Sequence, residues 1–204
     1  MPIGVPKVPF EDSEDDFLYE GERDNCLYSE RILFLNRKIN NELTTNIISL
    51  LLYLSGEDDD EDVTMFINSP GGFLQPGLAI YDTMQSLPME IRTVGLGMVA
   101  STASLILAGG ETEKRYAFPH ARIMIHQPAG GTLIELPSEL VLDVSELLSL
   151  RERVLMEYAY QTGKDPEILS RDMERDLFMS AQEAKDYGII DRILTKNRED
   201  GNYR

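Results

Sequence analysis

The chain has 204 residues, and 36 acidic against 19 basic side chains give it a net charge of −17. This negative charge disfavours binding to nucleic acid, whose phosphates require Lys and Arg, and to anionic membrane surfaces. The length is enough for one domain with a hydrophobic core. The single cysteine, Cys26, excludes a disulfide within the chain and fits a reducing compartment. The first residues lack the pattern of a signal or transit peptide, so we expect the protein to work where it is made.

The patterns typical of strands and helices alternate along the chain, which predicts the α/β class. Two acidic runs, 11–16 and 57–62, are predicted loops. The predicted strands cover 31–36, 63–68, 91–99 and 189–194, with two short strands within 115–128. The predicted helices cover 41–56, 77–87, 101–108, 138–162 and 180–188. The longest helix has an apolar stripe formed by Val144, Leu147, Leu148, Val154, Leu155 and Tyr158.

Residues 93–110 carry no charged side chain, so a membrane span has to be weighed against a buried core element. Four of these residues are glycines, and the aromatic and basic anchors typical of the ends of a span are absent. The run "TVGLGMV" followed by "STASLILAGG" instead predicts a strand, a tight turn at Ala100 and Ser101, and a helix that ends at Gly109 and Gly110.

This turn gives Ser101 the position of a possible nucleophile. A serine nucleophile needs a base within hydrogen-bonding distance, a group that orients the base, and donors for the developing oxyanion. The free N–H groups at a helix start are suitable donors. The local pattern fits equally well with Ser101 as a helix N-cap and with Thr102 and Ser104 as small packing residues. Both interpretations of Ser101 stay open at this point.

Of the two histidines, His126 has the better position for a catalytic base. It follows the apolar run "RIMI" and precedes "QP", which places its ring at the mouth of a buried strand. His120 follows Pro119 in a predicted turn and can simply be exposed. Because a lone histidine is more often structural than catalytic, the alternative of a structural role for His126 also stays open.

The motif "SPGG" at 69–72 ends another predicted strand and presents backbone N–H groups that no side chain covers. It suits an oxyanion hole or a site for a substrate strand, and it also suits an ordinary turn. The third group of a triad would be an acid, but 36 acidic residues leave that choice open. The sequence has neither an H-E-x-x-H motif nor a P-loop, which disfavours metal and nucleotide sites in this chain.

Five segments resemble the Clp protease proteolytic subunits, the ClpP family. The similarity extends from about residue 27 to residue 195, and the order and spacing of its motifs are specific to that family. The opening "MPIGVPKVPF" resembles the plastid-encoded branch. The resemblance implies an α/β ClpP/crotonase-like fold with a protruding long handle helix at 138–162. The matching segments are "FINSPGG", "AIYDTMQ", "VASTASLILAGG", "FPHARIMIHQP" and "DMERDLFMSAQEAKDYGIID".

The resemblance also implies which residues act in catalysis. The nucleophile of the family matches Ser101, its base matches His126, and its acid matches Asp176 in "MERDLFMS". The backbone N–H groups of Gly72 and Thr102 would form the oxyanion hole, although Thr102 stands where the family usually has methionine. The residues implied to bind the substrate strand are Gly71, Gly72, Gln127 and Pro128.

From the same resemblance we expect two stacked heptameric rings of this subunit and related ones, with the long helix in the contact between rings. An Hsp100-type AAA+ chaperone would deliver unfolded polypeptides and use the ATP. No cofactor is therefore expected in this chain, and neither nucleic acid nor a membrane is expected as a partner. The implied location is the chloroplast stroma, with the bacterial cytoplasm as an alternative.

The expected organisation is a flexible acidic arm over 1–26, a protease domain over 27–195 and a polar tail over 196–204. In the family the arm lines the axial entrance, where the acidic run would form a charged collar. Just before "INSPGG", on the surface that helps to dock the chaperone, Thr64 replaces one family aromatic and Phe66 keeps another.

Two other functions remain possible on this scaffold. One is a structural ring subunit with little activity, and the other is an acyl-CoA enzyme on the related crotonase scaffold. Residues that match all three members of the family triad favour an active protease over both.

Overall fold

The fold is that of a computed structural model, which describes residues 26–128 and 137–195. The expectations for the acidic run 11–16, for nearly all of the arm and for the tail 196–204 concern residues that lie outside this description.

Strands and helices alternate through the described residues, as the sequence predicts for the α/β class. The helices are α1 (Cys26–Ser29), α2 (Asn41–Glu57), α3 (Leu74–Ser86), α4 (Thr102–Ala108), α5 (Pro137–Thr162), α6 (Pro166–Asp172) and α7 (Ala181–Tyr187). The strands are β1 (Ile32–Leu35), β2 (Val63–Ser69), β3 (Ile91–Ala100), β4 (Arg115–Ala117), β5 (Arg122–Ile125), β6 (Leu177–Ser180) and β7 (Arg192–Ile193).

The strands form one sheet in which most pairings are parallel. Its main path has the order β1-β2-β3-β4-β7. β3 pairs with β4 through its first half, whereas Met98–Ala100 at its end pair in parallel with β5. β6 then runs antiparallel to β5. Because the carboxyl ends of parallel strands meet at one edge of a sheet, the residues that follow β2, β3 and β5 are brought close together.

Most of the uncharged stretch 93–110 is buried, with Gly97 and Met98 as exposed positions near the end of β3. It forms most of β3, a turn at Ser101 and the helix α4, every residue of which is buried. The predicted strand, turn and helix are therefore confirmed. Among the described helices, none combines the length and apolar character needed to cross a bilayer.

The apolar stripe predicted for the longest helix is only partly buried. Val154 and Tyr158 in the second half of α5 are buried in the core. In the first half, Val144 and Leu148 are 48% and 58% exposed in the single chain. The fully buried core residues described in α5, Val154 and Tyr158, thus lie in its second half, whereas the described part of the first half includes strongly exposed apolar side chains.

Three elements, α1, α6 and β6, were not predicted from the sequence, and α3 begins earlier than expected. The N-cap residue of α6 is Asp165, whose side chain accepts a hydrogen bond from Glu167 N–H, and Pro166 is the first residue of the helix. An N-cap acid followed by proline is a recognisable start signal. α3 starts at Leu74 rather than at Gly77 because Pro76, which has no N–H to satisfy, is tolerated in a first turn.

Candidate active site

Ser101 forms the turn between β3 and α4 and has an unusual backbone conformation, with φ of 58° and ψ of −130°. A non-glycine residue at positive φ costs on the order of 1–3 kcal/mol, so the surrounding structure must hold it there. The Ser101 side chain makes no capping hydrogen bond to α4. The interpretation of Ser101 as only an N-cap is therefore wrong.

Contacts with Met124 and Ser104 hold the Ser101 backbone, and the Tyr158 hydroxyl lies 3.5 Å from the Ser101 carbonyl oxygen. The Ser101 N–H donates to Met124 O at 2.9 Å, and the Ser101 carbonyl accepts from Ser104 N–H at 2.9 Å and from Ser104 Oγ at 2.6 Å. Ser104 Oγ also lies 2.7 Å from Met124 O and 2.9 Å from the Tyr158 hydroxyl. Since Ser104 has a single hydroxyl proton, which the two carbonyls attract, the Tyr158 O–H is the donor to Ser104. Burial raises the pKa of Tyr158 well above its ordinary value, so this proton is retained.

His126 lies directly beyond β5, and its Nε2 is 2.8 Å from Ser101 Oγ. The sheet accounts for this contact, because Ala100 at the end of β3 pairs with Met124 of the parallel strand β5. Both strands therefore deliver their next side chains at the same edge. The His126 side chain is 27% exposed, so a ligand in solution can reach the pair. The other histidine, His120, lies in an exposed turn.

Asp176 reaches the site because β6 runs antiparallel to β5. Ile125, the last residue of β5, pairs with Leu177, the first of β6, so the residues beyond this pair face each other. Asp176 Oδ1 lies 3.1 Å from His126 Nδ1. A proton on Nδ1, directed at this carboxylate, leaves Nε2 able to accept from Ser101. The Asp176 carboxyl group is 59% exposed, so water competes for it.

The "SPGG" turn lies directly against the serine. Gly71 has a φ of +83°, and a Cβ built on it would be 2.7 Å from Ser101 Cβ. Position 71 therefore requires glycine for two reasons: its φ is positive, and the short distance to Ser101 leaves no space for a side chain. The Gly71 N–H donates to Ser69 Oγ at 3.1 Å, and the Gly71 carbonyl accepts from Ile39 N–H at 2.9 Å. Both polar backbone groups of Gly71 are thus already bonded within the chain.

The two backbone N–H groups expected to form an oxyanion hole differ in their hydrogen bonding. Thr102 is the first residue of α4, so its N–H has no acceptor within the helix. The Gly72 N–H instead donates to the Thr102 side-chain oxygen Oγ1 at 3.1 Å. The Thr102 side chain is therefore a polar contact of this site, whereas the sequence analysis considered it only for packing and assigned the oxyanion role to its backbone N–H.

A cleft of about 580 Å³ opens beside these residues, and Ser101, Thr102 and His126 line it. Most of its remaining lining is apolar and comes from the start of α3, from α4 and from α5, including Phe73, Leu74, Pro76, Leu105, Leu150 and Val154. An apolar cleft with a few converging polar groups is the usual form of a ligand site.

The residues expected to bind a substrate strand differ in their relation to this cleft. Gly72 and Pro128 line it. The Gln127 N–H donates to Met173 O at 2.8 Å, and its side-chain oxygen accepts from Arg151 Nε at 2.9 Å. The backbone of Gln127 is thus bonded to the C-cap residue of α6, and its side chain is bonded to α5.

Sequence reasoning did not find the polar roles of Ser104 and Tyr158. It treated Ser104 as a packing residue and Tyr158 as part of an apolar stripe, yet their hydroxyls meet behind the nucleophile across 54 positions of sequence. No local pattern signals such a distant pair. In residues 26–128 and 137–195, no group of three or more His, Cys, Asp and Glu side chains is arranged to hold a metal ion.

Comparison with known proteins gives a consistent result over nearly the whole chain. The model of the family described as "Clp protease" matches residues 20–197. The chain is 50% identical to an ATP-dependent Clp protease proteolytic subunit of Lotus japonicus, over 96% of this chain and all of that protein. Proteins of the same name from Chaetosphaeridium globosum and Buxus microphylla are 50% and 48% identical, over 95% and 98% of this chain and 96% and 99% of their own. The chain belongs to the Clp protease family.

Proposed function

We propose that this chain is a proteolytic subunit of an ATP-dependent Clp protease and that it hydrolyses peptide bonds with Ser101 as the nucleophile. The observation that carries the proposal is the 2.8 Å contact between His126 Nε2 and Ser101 Oγ. This contact occurs in a chain whose relatives at 48–50% identity are named as proteolytic subunits of that protease.

In the proposed reaction Ser101 Oγ attacks the carbonyl carbon of the scissile bond while His126 Nε2 takes its proton. His126 then donates that proton to the leaving amine, and water hydrolyses the acyl-enzyme with the same histidine as base. The carboxylate of Asp176, 3.1 Å from Nδ1, keeps the ring in the reactive tautomer and stabilises its charged form.

The oxygen of the tetrahedral intermediate would accept hydrogen bonds from the backbone N–H groups of Thr102 and Gly72. Both residues line the cleft together with Ser101. Fixed donors of this kind account for about 10²–10³ in rate per donor in serine proteases. The strained turn at Ser101 supports this role, because it holds Oγ out of α4 and beside His126.

The substrate would be an unfolded polypeptide that lies extended in the cleft. The apolar lining accommodates a hydrophobic side chain next to the scissile bond, and Gly72 and Pro128 border the path of the strand. Gly71 would allow the backbone of the SPGG turn to lie close to Ser101. Gln127, which is bonded to Met173 and Arg151, would hold the adjacent Pro128 in position at the cleft. We propose that the chain itself uses no cofactor and that ATP is consumed by an Hsp100-type AAA+ chaperone.

We propose that the subunit assembles with itself and related subunits into two stacked heptameric rings. Support comes from the apolar side chains that α5 exposes in the single chain: Leu142, Val144 and Leu148 are 67%, 48% and 58% exposed. Apolar residues in such number on one helix are typical of an interface. The handle-like helix would then make the contact between the rings.

We propose the chloroplast stroma as the location of the complex. The relatives that support it come from plants and a green alga, including Lotus japonicus and Chaetosphaeridium globosum. Antibody detection in fractionated plastids would find the subunit in the stromal fraction, whereas its recovery in another fraction would contradict this location.

The function is tested by cleavage of a short fluorogenic peptide with the assembled complex. Ser101→Ala should lower kcat/KM by roughly 10³-fold or more, with assembly intact. Ser86→Ala removes an exposed hydroxyl at the end of α3, outside the site, and should leave the rate unchanged. Cleavage by the Ser101→Ala complex at the parent rate would refute the proposal.

A further inference from the structure

We infer that the side-chain hydroxyl of Thr102 is a removable cap on the oxyanion hole, which the substrate carbonyl must displace before the reaction can proceed. The inference rests on the proposed function and adds to it a residue that sets the reactivity of the site. This role is that of the Thr102 side chain, and it is separate from the proposed role of the Thr102 backbone N–H in the oxyanion hole.

The cap is defined by one hydrogen bond. The Gly72 N–H donates to Thr102 Oγ1 at 3.1 Å, a normal length for this type of bond. Thr102 is only 7% exposed, so water competes little for its hydroxyl. In the free protein, the position from which a substrate oxygen would accept from Gly72 is therefore already filled by an oxygen of the protein.

Competition between the two oxygens follows from their chemistry. A neutral hydroxyl is a weaker acceptor than the oxyanion of a tetrahedral intermediate, whose hydrogen bonds are about twice as strong. The oxyanion can therefore displace the hydroxyl, but the bond to Thr102 has to be broken first. Breaking one neutral hydrogen bond should impose a rate penalty of roughly threefold to tenfold, which converts to about 0.6–1.4 kcal/mol.

The packing around Thr102 keeps the cap in place. The side chain lies against Gly77 in α3, where an added Cβ would be 2.8 Å from Thr102 Cβ and 3.3 Å from Oγ1. Gly77 is itself buried in α3. The absence of a side chain at Gly77 creates the space for the branched side chain of Thr102, and the close walls restrict its rotation.

The test compares Thr102→Val, which keeps the shape but has no acceptor, with Thr102→Ser, which keeps the hydroxyl. Thr102→Ala supplies a smaller variant without a hydroxyl, and Thr83→Val makes the same change in α3, where the hydroxyl bonds to Ala79 O. Each assembled complex is assayed with a fluorogenic peptide and with a peptide aldehyde. The aldehyde forms a bond from its carbon to Ser101 Oγ, its carbonyl electron pair moves to oxygen, and the serine proton passes to His126.

We expect Thr102→Val and Thr102→Ala to raise kcat/KM and the affinity for the aldehyde by about threefold to tenfold. Thr102→Ser keeps the hydroxyl and should stay closer to the wild type than Thr102→Val does, whereas Thr83→Val, outside the site, should match the wild type. The matching peptide alcohol, which has no carbonyl to form an oxyanion, should bind all the complexes equally. A structural effect of the substitutions would change binding of the alcohol as well, so this comparison separates the cap from a change in packing.

If the folded and assembled Thr102→Val or Thr102→Ala complex bound the aldehyde as the wild type does, or more weakly, the inference of a removable cap would be overturned. If neither variant assembles, amide hydrogen exchange of Gly72 in the wild type decides: slow exchange in the free complex supports the cap, and exchange at the unprotected rate overturns it. Failure of the proposed function has a different signature, because the wild-type complex would then neither cleave the peptide nor bind the aldehyde at Ser101.

Discussion

The hydroxyl of Tyr158, in the second half of α5, lies 2.9 Å from Ser104 Oγ in α4. Both residues are buried, and Ser104 in turn bonds to the carbonyl of the nucleophile Ser101 at 2.6 Å. This pair of hydrogen bonds therefore connects the long helix α5 to the conformation of the reactive turn.

Tyr158→Phe should therefore weaken both the fold and the reaction. Removal of one buried hydrogen bond costs about 0.5–1.5 kcal/mol, and a less firmly held turn should lower kcat several-fold with little change in KM. Thermal unfolding and peptide kinetics measure the two effects. Tyr160→Phe changes a side chain that is 80% exposed on the same helix and is the control. Equal behaviour of the two variants would show that the bond to Ser104 does not hold the turn.

Asp176→Asn tests the orientation of the catalytic base. The amide keeps the shape of the side chain but favours the imidazole tautomer with its proton on Nε2, which cannot accept from Ser101. We expect kcat to fall by about 10²–10⁴, with the lower part of this range favoured by the exposure of the carboxylate. Glu174→Gln neutralises an exposed acid two positions earlier and should be silent. A silent Asp176→Asn would mean that another acid orients His126.

Gly71→Ala should strongly lower activity through a steric clash with the nucleophile. The new Cβ would lie 2.7 Å from Ser101 Cβ, and displacement of a reacting group by about 1 Å can cost roughly 100-fold in rate. Gly163→Ala is a matched control, because Gly163 also has a positive φ, of 68°, but has open space around its Cβ position. Both variants should lose stability, and kcat/KM should fall only for Gly71→Ala. A similar kcat/KM for the two would contradict this close approach.

Asp191 should contribute stability that depends on pH. Its carboxylate accepts from Arg115 N–H and Nε at 3.0 Å each and from Nη2 at 2.6 Å. Burial raises the pKa of Asp191, but the hydrogen bonds and charge of Arg115 outweigh it and leave the pKa below its ordinary value of 3.8. A folded pKa below the unfolded one means that the stabilisation is present above about pH 4 and is lost as the pH falls further.

Asp191→Asn should therefore destabilise the protein at pH 7 by about 3 kcal/mol, because the Arg115 side chain, only 8% exposed, is left without its charged partner. Denaturant unfolding of both proteins between pH 7 and pH 3 measures the effect, with the exposed Asp186→Asn as control. The difference in stability from the wild type should shrink as the pH falls below 4. A difference that stays constant over this range would contradict the assignment.

Local patterns in the sequence predicted most of the elements that build the site. The helix predicted over 41–56 is Asn41–Glu57, and the strand predicted over 63–68 is Val63–Ser69. Periodicity sufficed here because each element buries one face or one stripe. It did not suffice for β6, a short strand whose Phe178 is 46% exposed, because its identity as a strand depends on pairing with β5.

The position of Ser101 and that of His126 could be inferred from the sequence, since each residue follows an apolar strand. Asp176 could be selected only through the resemblance to a family, because its place opposite His126 depends on the register between β5 and β6. The hydroxyl of Thr102 had no signal at all. Its contact with Gly72 joins two turns that are 30 positions apart, and only the folded chain brings them together.

The most direct measurement is the mapping of a covalent label. A fluorophosphonate reacts with an activated serine, forming an Oγ–P bond with loss of fluoride, and mass spectrometry of the digested protein locates it. Our account predicts one label per subunit, on Ser101, with peptide cleavage lost in proportion to labelling and with both reactions strongly slowed in His126→Ala. Labelling of a different residue, or full labelling of Ser101 without loss of cleavage, would contradict the account.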